Sequence, residues 1–163
     1  MITINSFLQP AAGAGNPFIL SSGHDFPRND FTGYVGFRFT VGSSNITITD
    51  LGRWVLSGNS GSHTVRITDV SGTLIVSAIV NTSGASVGFV YSSITPTVLS
   101  AGTDYFIQSL ETSGADTWYD DAGPTGAYTT TSDATLTNSS YSDPPVTNTA
   151  NRTYGPPNFK YHL

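Results

Sequence analysis

Alternation of apolar and polar positions is the dominant pattern of this chain, and it predicts β-strands. Residues 34–41 show it most clearly, because apolar side chains there occupy every second position. A period of two is typical of a strand with one face in the core and the other in water. The face predicted to point inward consists of Val35, Phe37, Phe39 and Val41.

The same alternation recurs along most of the chain, separated by glycine-rich turns at intervals of roughly eight to twelve residues, the spacing of β-sandwiches and barrels. No segment predicts a helix, and the length fits one domain over residues 1–163. Residues 63–69 and 73–80 are predicted to form a hairpin across a turn at 69–72. The other predicted strands are 2–8, 34–41, 46–56, 87–91, 104–110, a short one at 117–119 and a closing one at 153–161.

The stretch from about 120 to 151 departs from this pattern. It is rich in Ser, Thr, Asn and Gly and has few apolar anchors, so we interpret it as a long loop or a weak hairpin. Loops of this length in compact domains are candidates for function. After it, Pro156 and Pro157 are predicted to restrict the closing strand to a sheet edge or a bulge.

Charge is scarce on this chain. Charged residues make up 10% of the sequence, the net charge is −5, and Lys160 is the only lysine, against about 25% charged residues in ordinary soluble domains. Without a basic run, nucleic acid and anionic membrane surfaces are unfavourable partners. No apolar stretch approaches the length that inserts into a membrane.

Composition also bears on location. The chain lacks cysteine, which excludes disulfides and thiolate metal sites. Its first residues contain neither a positively charged region nor a long apolar one, so they do not form a signal peptide. Either a signal has been removed, or the protein leaves the cell inside an assembly such as a phage virion. We therefore expect an extracellular or virion-surface protein.

An aromatic and acidic cluster opens the polar stretch and is the best candidate for ligand binding. Aromatic ring faces pack on the CH groups of sugars while carboxylates bind their hydroxyls. The alternative for the tryptophan is that it caps the hydrophobic core. The candidate ligand-binding residues are Trp118, Tyr119, Tyr128 and Asp116.

The acidic pair Asp120 and Asp121 is the candidate metal site. Calcium prefers several oxygen ligands, including carboxylates, so a structural calcium ion is the one cofactor that the sequence allows. Turn capping is the alternative role for these residues. Together with Glu111, the loop aspartates would also suit glycoside hydrolysis, which uses paired carboxylates.

Two histidines were considered for chemistry. His24 shares a loop with Asp25 and Asp30, which would serve a metal site or, more simply, hydrogen-bonded turns. His63 has the parity of the inward apolar residues of its strand and is predicted to be a semi-buried structural histidine. No Gly-x-Ser-x-Gly elbow accompanies them, so we assign no catalytic residue and predict that the chain is not an enzyme.

Six segments of the chain, most of them strands with their turns, carry a resemblance to a known family. They are Gly33-Tyr-Val-Gly-Phe-Arg-Phe-Thr-Val, Ile48-Thr-Asp-Leu-Gly-Arg-Trp, Gly58-Asn-Ser-Gly-Ser-His-Thr-Val-Arg-Ile-Thr-Asp, Gly72-Thr-Leu, Ser100-Ala-Gly-Thr-Asp-Tyr-Phe-Ile and Tyr154-Gly-Pro-Pro-Asn-Phe-Lys-Tyr. These segments resemble a bacterial secreted β-sandwich module of uncharacterised function, similar to carbohydrate-binding modules and also seen as a surface or virion accessory domain. The resemblance implies an all-β fold, a single antiparallel β-sandwich that is jelly-roll-like, and an exterior setting.

Two functions follow as expectations. The first is a non-catalytic recognition or adhesion module that binds a glycan or another surface polymer. The alternative is a structural subunit of an extracellular assembly, such as a virion decoration protein, a fibre protein or a filament, that pairs exposed strand edges with copies of itself or with other subunits. Edge strands are commonly protected by lysine, and the candidate edges 2–8 and 153–161 carry almost none.

Overall fold

The computed structural model describes residues 15–121, 128–155 and 157–163. Within these ranges the chain forms antiparallel β-strands and no helix, and hence no helix long and apolar enough to cross a membrane. The predicted all-β sandwich fold is confirmed. The predicted first strand at 2–8 lies outside the described residues.

One layer of the sandwich is a six-stranded sheet. In spatial order its strands are β13 (Val146–Ala150), β12 (Ala134–Tyr141), β4 (Gly33–Val41), β9 (Asp104–Glu111), β6 (Ser62–Thr68) and β7 (Leu74–Asn81). The predicted hairpin is β6 and β7, which pair from Ser62↔Asn81 to Thr68↔Leu74.

The other large sheet has four strands, and the described residues also form two smaller sheets. The four strands are, in order, β1 (Asn16–Pro17), β15 (Pro157–His162), β5 (Ile46–Val55) and β8 (Gly88–Leu99). A three-stranded sheet, called here the small sheet, consists of β14 (Thr153–Tyr154), β10 (Trp118–Asp121) and β3 (Phe26–Arg28). The remaining pair is β11 (Thr129–Thr130) and β2 (Ile19–Ser21).

A single apolar cluster joins the two large sheets. Phe18 lies at its centre, stacked on Phe159 of β15 at 4.9 Å between ring centroids and 6.1 Å from both Phe37 and Phe39 of β4. All four rings are fully buried. Burial of each such side chain stabilises the fold by about 1.5–3 kcal/mol, and the inward face predicted for residues 34–41 is thereby confirmed.

Of the two interpretations of residues 120–151, a long loop or a weak hairpin, the described residues show the hairpin. β12 and β13 form a hairpin, and β12 also pairs with β4 from Ala134↔Val41 to Tyr141↔Val35. Small polar residues can occupy an interior strand because backbone hydrogen bonds hold it. Ser139 shows this, since it is fully buried and its hydroxyl accepts from the amide of Thr149.

Two further corrections concern prolines. β15 is not an edge strand, because it lies between β1 and β5, and Pro157 is its first residue, where no ladder donor is needed. The register between β15 and β5 shifts between Lys160 and Tyr161, and the extra residue, Thr49, lies on β5. The strand predicted at 87–91 is longer than expected, because residues 95–99 continue the edge strand β8 despite Pro96.

Candidate functional site

The candidate residues predicted from the sequence are divided between two faces by β10. Side chains alternate across a strand, so Trp118 and Asp120 lie on one face of the small sheet while Tyr119 and Asp121 lie on the other. Register extends the first face to the neighbouring strands, because Trp118 pairs with Arg28, and Asp120 pairs with both Phe26 and Tyr154.

A cleft of about 150 Å³ lies on the Trp118 face. We call it the aromatic cleft, because four of its six lining side chains are aromatic. Its volume matches that of a cavity known to hold one benzene ring. Its wall is partly open to solvent at Tyr141, which is 38% exposed. The lining residues are Arg28, Phe31, Val35, Trp118, Tyr141 and Tyr154.

Trp118 forms a wall of this cleft and is not an open stacking platform. It is only 3% exposed, its ring meets Tyr154 edge to face at 6.5 Å, and the guanidinium of Arg28 lies 5.1 Å from its ring centroid. Among the described residues its indole N–H finds no hydrogen-bond acceptor. Trp118 therefore does not offer the free aromatic face expected from the sequence, although it lines the cleft.

Arg28 organises the polar side of the cleft. Its Nε donates to Asp30 Oδ1 at 2.8 Å and its Nη1 to Asp120 Oδ2 at 2.5 Å. Its hydrogen bonds, first to Asp30 and to a smaller extent to Asp120, raise the pKa of Arg28 above its ordinary value. In return, the hydrogen bond from Arg28 lowers the pKa of Asp30. The second oxygen of Asp120, Oδ1, is buried and has no hydrogen-bond donor within the described part of the chain.

Tyr119 belongs to a separate aromatic group on the opposite face. Its ring stacks on His24 at 4.3 Å and 22°, and His24 contacts Trp54 at 4.1 Å. Burial lowers the pKa of His24, partly opposed by the charge of Asp121. The sequence suggested that His24, Asp25 and Asp30 could form one site. In the structure they do not meet, because Asp30 is hydrogen-bonded to Arg28 at the cleft.

Asp121 and Tyr128 take part in hydrogen bonds inside the protein and do not form a ligand-binding surface. The fully buried carboxylate of Asp121 accepts from the amide of Asp25 at 2.8 Å, from the hydroxyl of Ser22 at 3.2 Å and from the hydroxyl of Tyr128. The pKa of Tyr128 is raised, mainly by burial and secondly by the charge of Asp121. Tyr128 packs against the main core, so its assignment to ligand binding is corrected.

The predicted metal pair is also separated. Asp120 binds Arg28 on one face of β10, and Asp121 is enclosed by three donors on the other. Within residues 15–121, 128–155 and 157–163, no group of three or more His, Asp or Glu side chains is placed to hold a metal. The two carboxylates therefore lie on opposite faces of β10 and are not side by side as their adjacency in the sequence suggested.

Asp116 lies in a buried ionic network away from the cleft. It accepts from the amides of Ser60 and Gly61 at 2.9 Å each, from the hydroxyl of Thr82 at 2.7 Å, and lies 3.0 Å from His63 Nε2. These contacts join two loops to the end of β7, so that Asp116 has a structural role.

The rest of the network surrounds His63 and Glu111. Arg53 donates two hydrogen bonds to Glu111, at 2.8 and 2.9 Å, and His63 Nδ1 lies 3.0 Å from the carbonyl of Leu110 and 3.2 Å from Glu111. Both ring nitrogens of His63 are thus engaged, as expected for a structural histidine. Burial would lower the pKa of His63, but Glu111 and Asp116 outweigh it and raise this pKa.

Sequence reasoning missed most of the cleft. Tyr154 and Arg28 reach it through strand pairing with β10, and Val35 and Tyr141 are cross-strand partners in β4 and β12. Of the lining residues, Trp118 is predicted from the sequence, as part of the aromatic and acidic cluster. Comparison with protein-family models and with curated protein sequences finds no match for this chain.

Proposed function

We propose that this chain is a non-catalytic recognition module that holds one ring of a glycan or another exterior polymer in the aromatic cleft. The observation that carries the proposal is the cleft itself, a ring-sized depression lined by four aromatic side chains. Ligand sites of this kind combine apolar walls with a few convergent polar groups. The low charge of the chain supports an extracellular or virion-surface location.

Arg28 supplies an accessible hydrogen-bonding group of the cleft. It is one of the lining residues, and its side chain is 38% exposed. A guanidinium carries five N–H donors, and a sugar hydroxyl both donates and accepts. A hydroxyl of a bound ring would therefore accept a hydrogen bond from Arg28.

Recognition without catalysis is favoured by where the other carboxylates lie. Glu111 and Asp116, the residues considered for glycoside hydrolysis, belong to the buried network around His63. At the cleft, Asp30 and Asp120 each accept a hydrogen bond from Arg28. A general acid needs a raised pKa, whereas the pKa of Asp30 is lowered.

A glycan array followed by titration calorimetry tests the proposal. Tyr141→Ala removes a partly exposed cleft wall and is expected to weaken binding roughly tenfold, the loss of one aromatic contact. Ile79→Ala is the matched control, because Ile79 is 70% exposed and lies on β7, three strands from β4. Absence of any bound glycan, or equal affinity of Tyr141→Ala and the unmodified protein, would contradict the proposal.

A second candidate function, assembly into a larger structure, is favoured by one observation. β13 ends the six-stranded sheet, pairs only with β12 among the described residues, and carries no charge. Unprotected edges of this kind are templates for pairing with another strand. Light scattering over a concentration series should then show oligomers that Thr147→Lys abolishes, whereas a monomer at every concentration would contradict assembly.

A further inference from the structure

An exposed aromatic residue continues the face on which the aromatic cleft lies. Phe26 is 62% exposed and pairs with Asp120 in the small sheet, so it shares a face with Trp118 and Arg28. Single exposed apolar side chains are common. Phe26 is informative because of its position, two residues from Arg28 along β3, which is roughly 6.6–6.8 Å.

Hydrogen-bonding groups lie between the cleft and Phe26. Arg28 and Asp120 form an ion pair there, with the arginine side chain 38% exposed and the aspartate 15%. The face therefore presents, in order, an aromatic cleft, a polar pair and a second aromatic ring. A chain of sugar rings has the same alternation, because each ring offers an apolar face and each linkage is flanked by hydroxyls.

The charges on this face disfavour acidic ligands. Arg28 is the one cation among the lining residues and is already hydrogen-bonded to both Asp30 and Asp120. One positive and two negative groups leave a local charge of −1, and the whole chain carries −5. An acidic sugar would have to displace a carboxylate from Arg28 or approach like charges, whereas a neutral sugar would do neither.

We infer that the ligand is an uncharged oligosaccharide of at least two rings, which lies along β3 with one ring in the aromatic cleft and the next on Phe26. This inference rests on the proposed function, because it names the ligand class of the same site. The cleft supplies binding to one ring, and Phe26 makes the affinity depend on chain length.

Chain-length titration tests this inference. Calorimetry with glucose, cellobiose and cellotetraose, and with the corresponding xylose, mannose and galactose series, should show at least one series in which the oligosaccharide binds more tightly than its monosaccharide. Phe26→Ala should weaken oligosaccharide binding roughly three- to tenfold, the worth of one aromatic contact, and leave monosaccharide binding unchanged. Val98→Ala, an exposed truncation on β8, should change neither.

Charge is tested with the same protein. Oligogalacturonate should bind at least tenfold more weakly than the best neutral oligosaccharide, and Asp30→Asn should reduce that difference, because it removes one negative charge from an exposed position. Tighter binding of oligogalacturonate than of every neutral chain would overturn the assignment of an uncharged ligand.

The outcomes separate the two proposals. If no saccharide of any length binds, the proposed function itself fails. If saccharides bind and Tyr141→Ala weakens them, but affinity is independent of chain length and Phe26→Ala has no effect, the proposed function stands and the inference about Phe26 is overturned. Circular dichroism of each variant confirms that the comparison is made between folded proteins.

Discussion

At the scale of single residues, the scarcity of charge makes each buried ion pair informative. Arg53 and Glu111 are both fully buried and joined by two hydrogen bonds. Glu111 is the only glutamate of the chain, and its carboxylate is used for an ion pair inside the protein. Parity within a strand predicts which side chains point inward, but it cannot predict this pair, because its members are 58 positions apart and meet only after β5 and β9 are assembled.

Removal of one partner should be strongly destabilising. Glu111→Gln removes the carboxylate that pairs with the buried guanidinium of Arg53, and Arg53→Met leaves Glu111 with only His63 as a cationic partner. Each is expected to lower the free energy of unfolding by about 3–5 kcal/mol. The double variant Arg53→Met, Glu111→Gln should lose less than the sum of the two, since neither charge of the Arg53–Glu111 pair remains. Urea denaturation measures all three, and additive losses would contradict a direct ion pair.

The pH dependence of stability follows from the same network. Because the pKa of His63 is raised above 6.5, its contribution is complete below pH 6.5 and is lost as the pH rises through the raised value. Burial would raise the pKa values of Glu111 and Asp116, but hydrogen bonds lower them from 4.5 and 3.8. Their contributions are complete above pH 4.5 and are lost as the pH falls through the lowered values.

The melting temperature should therefore be highest between about pH 4.5 and 6.5. Calorimetry from pH 3 to 9 measures it, with His63→Gln as the comparison, because this variant lacks the titrating group. The variant should lose the decline on the alkaline side. A melting temperature that stays level between pH 6 and 9 in the unmodified protein would show that His63 does not contribute in this way.

At the scale of elements, the sequence predicted strands with alternating apolar residues and failed where small polar residues form them. β12 lies between β13 and β4 with Ser139 and Ser140 fully buried, and nothing in local hydropathy distinguishes it from a loop. β10 shows the reverse problem. Trp118, Tyr119, Asp120 and Asp121 are adjacent in sequence, which predicted one site, but alternation across the strand divides them between two faces.

Hydrogen exchange should distinguish β12 from a loop. Its amides are expected to be protected to nearly the same degree as those of β4 and β9, because interior strands open only with the whole sheet. β13 is the internal control, since it is an edge strand and should exchange faster. Rapid exchange throughout residues 134–141 would mean that the hairpin is not an integral part of the sheet.

Close packing of β4 against β9 gives a further prediction. An added Cβ at Gly36 would clash with the backbone carbonyl of Ile107 and lie 2.8 Å from the Cα of Gln108. Gly36→Ala should therefore lower the free energy of unfolding by about 1–3 kcal/mol or more. Gly84→Asn is the control, because Gly84 has open space around it and a φ of 72° that Asn tolerates. Equal unfolding midpoints for the two variants would contradict this packing.

At the scale of the whole molecule, the aromatic cleft draws on residues from 28 to 154, and so it exists only when β3, β4, β10, β12 and β14 are all in place. A ligand that binds this surface binds the folded state alone. At about nine times its dissociation constant, it should stabilise the fold by about 1.4 kcal/mol. Thermal shift measures this effect, and a bound ligand that leaves the melting temperature unchanged would have to bind elsewhere.

The two tryptophans of this chain lie on different sides of β10, and this gives the protein a built-in optical reporter. Trp118 lines the cleft, while Trp54 contacts His24 beyond the opposite face. In a Trp54→Phe variant, the remaining fluorescence would come from the cleft wall alone. A ring bound in the cleft would change the surroundings of this indole, and its emission would respond. Ligand binding in the cleft could thus be followed in real time, without an added label, through the fluorescence emission of Trp118.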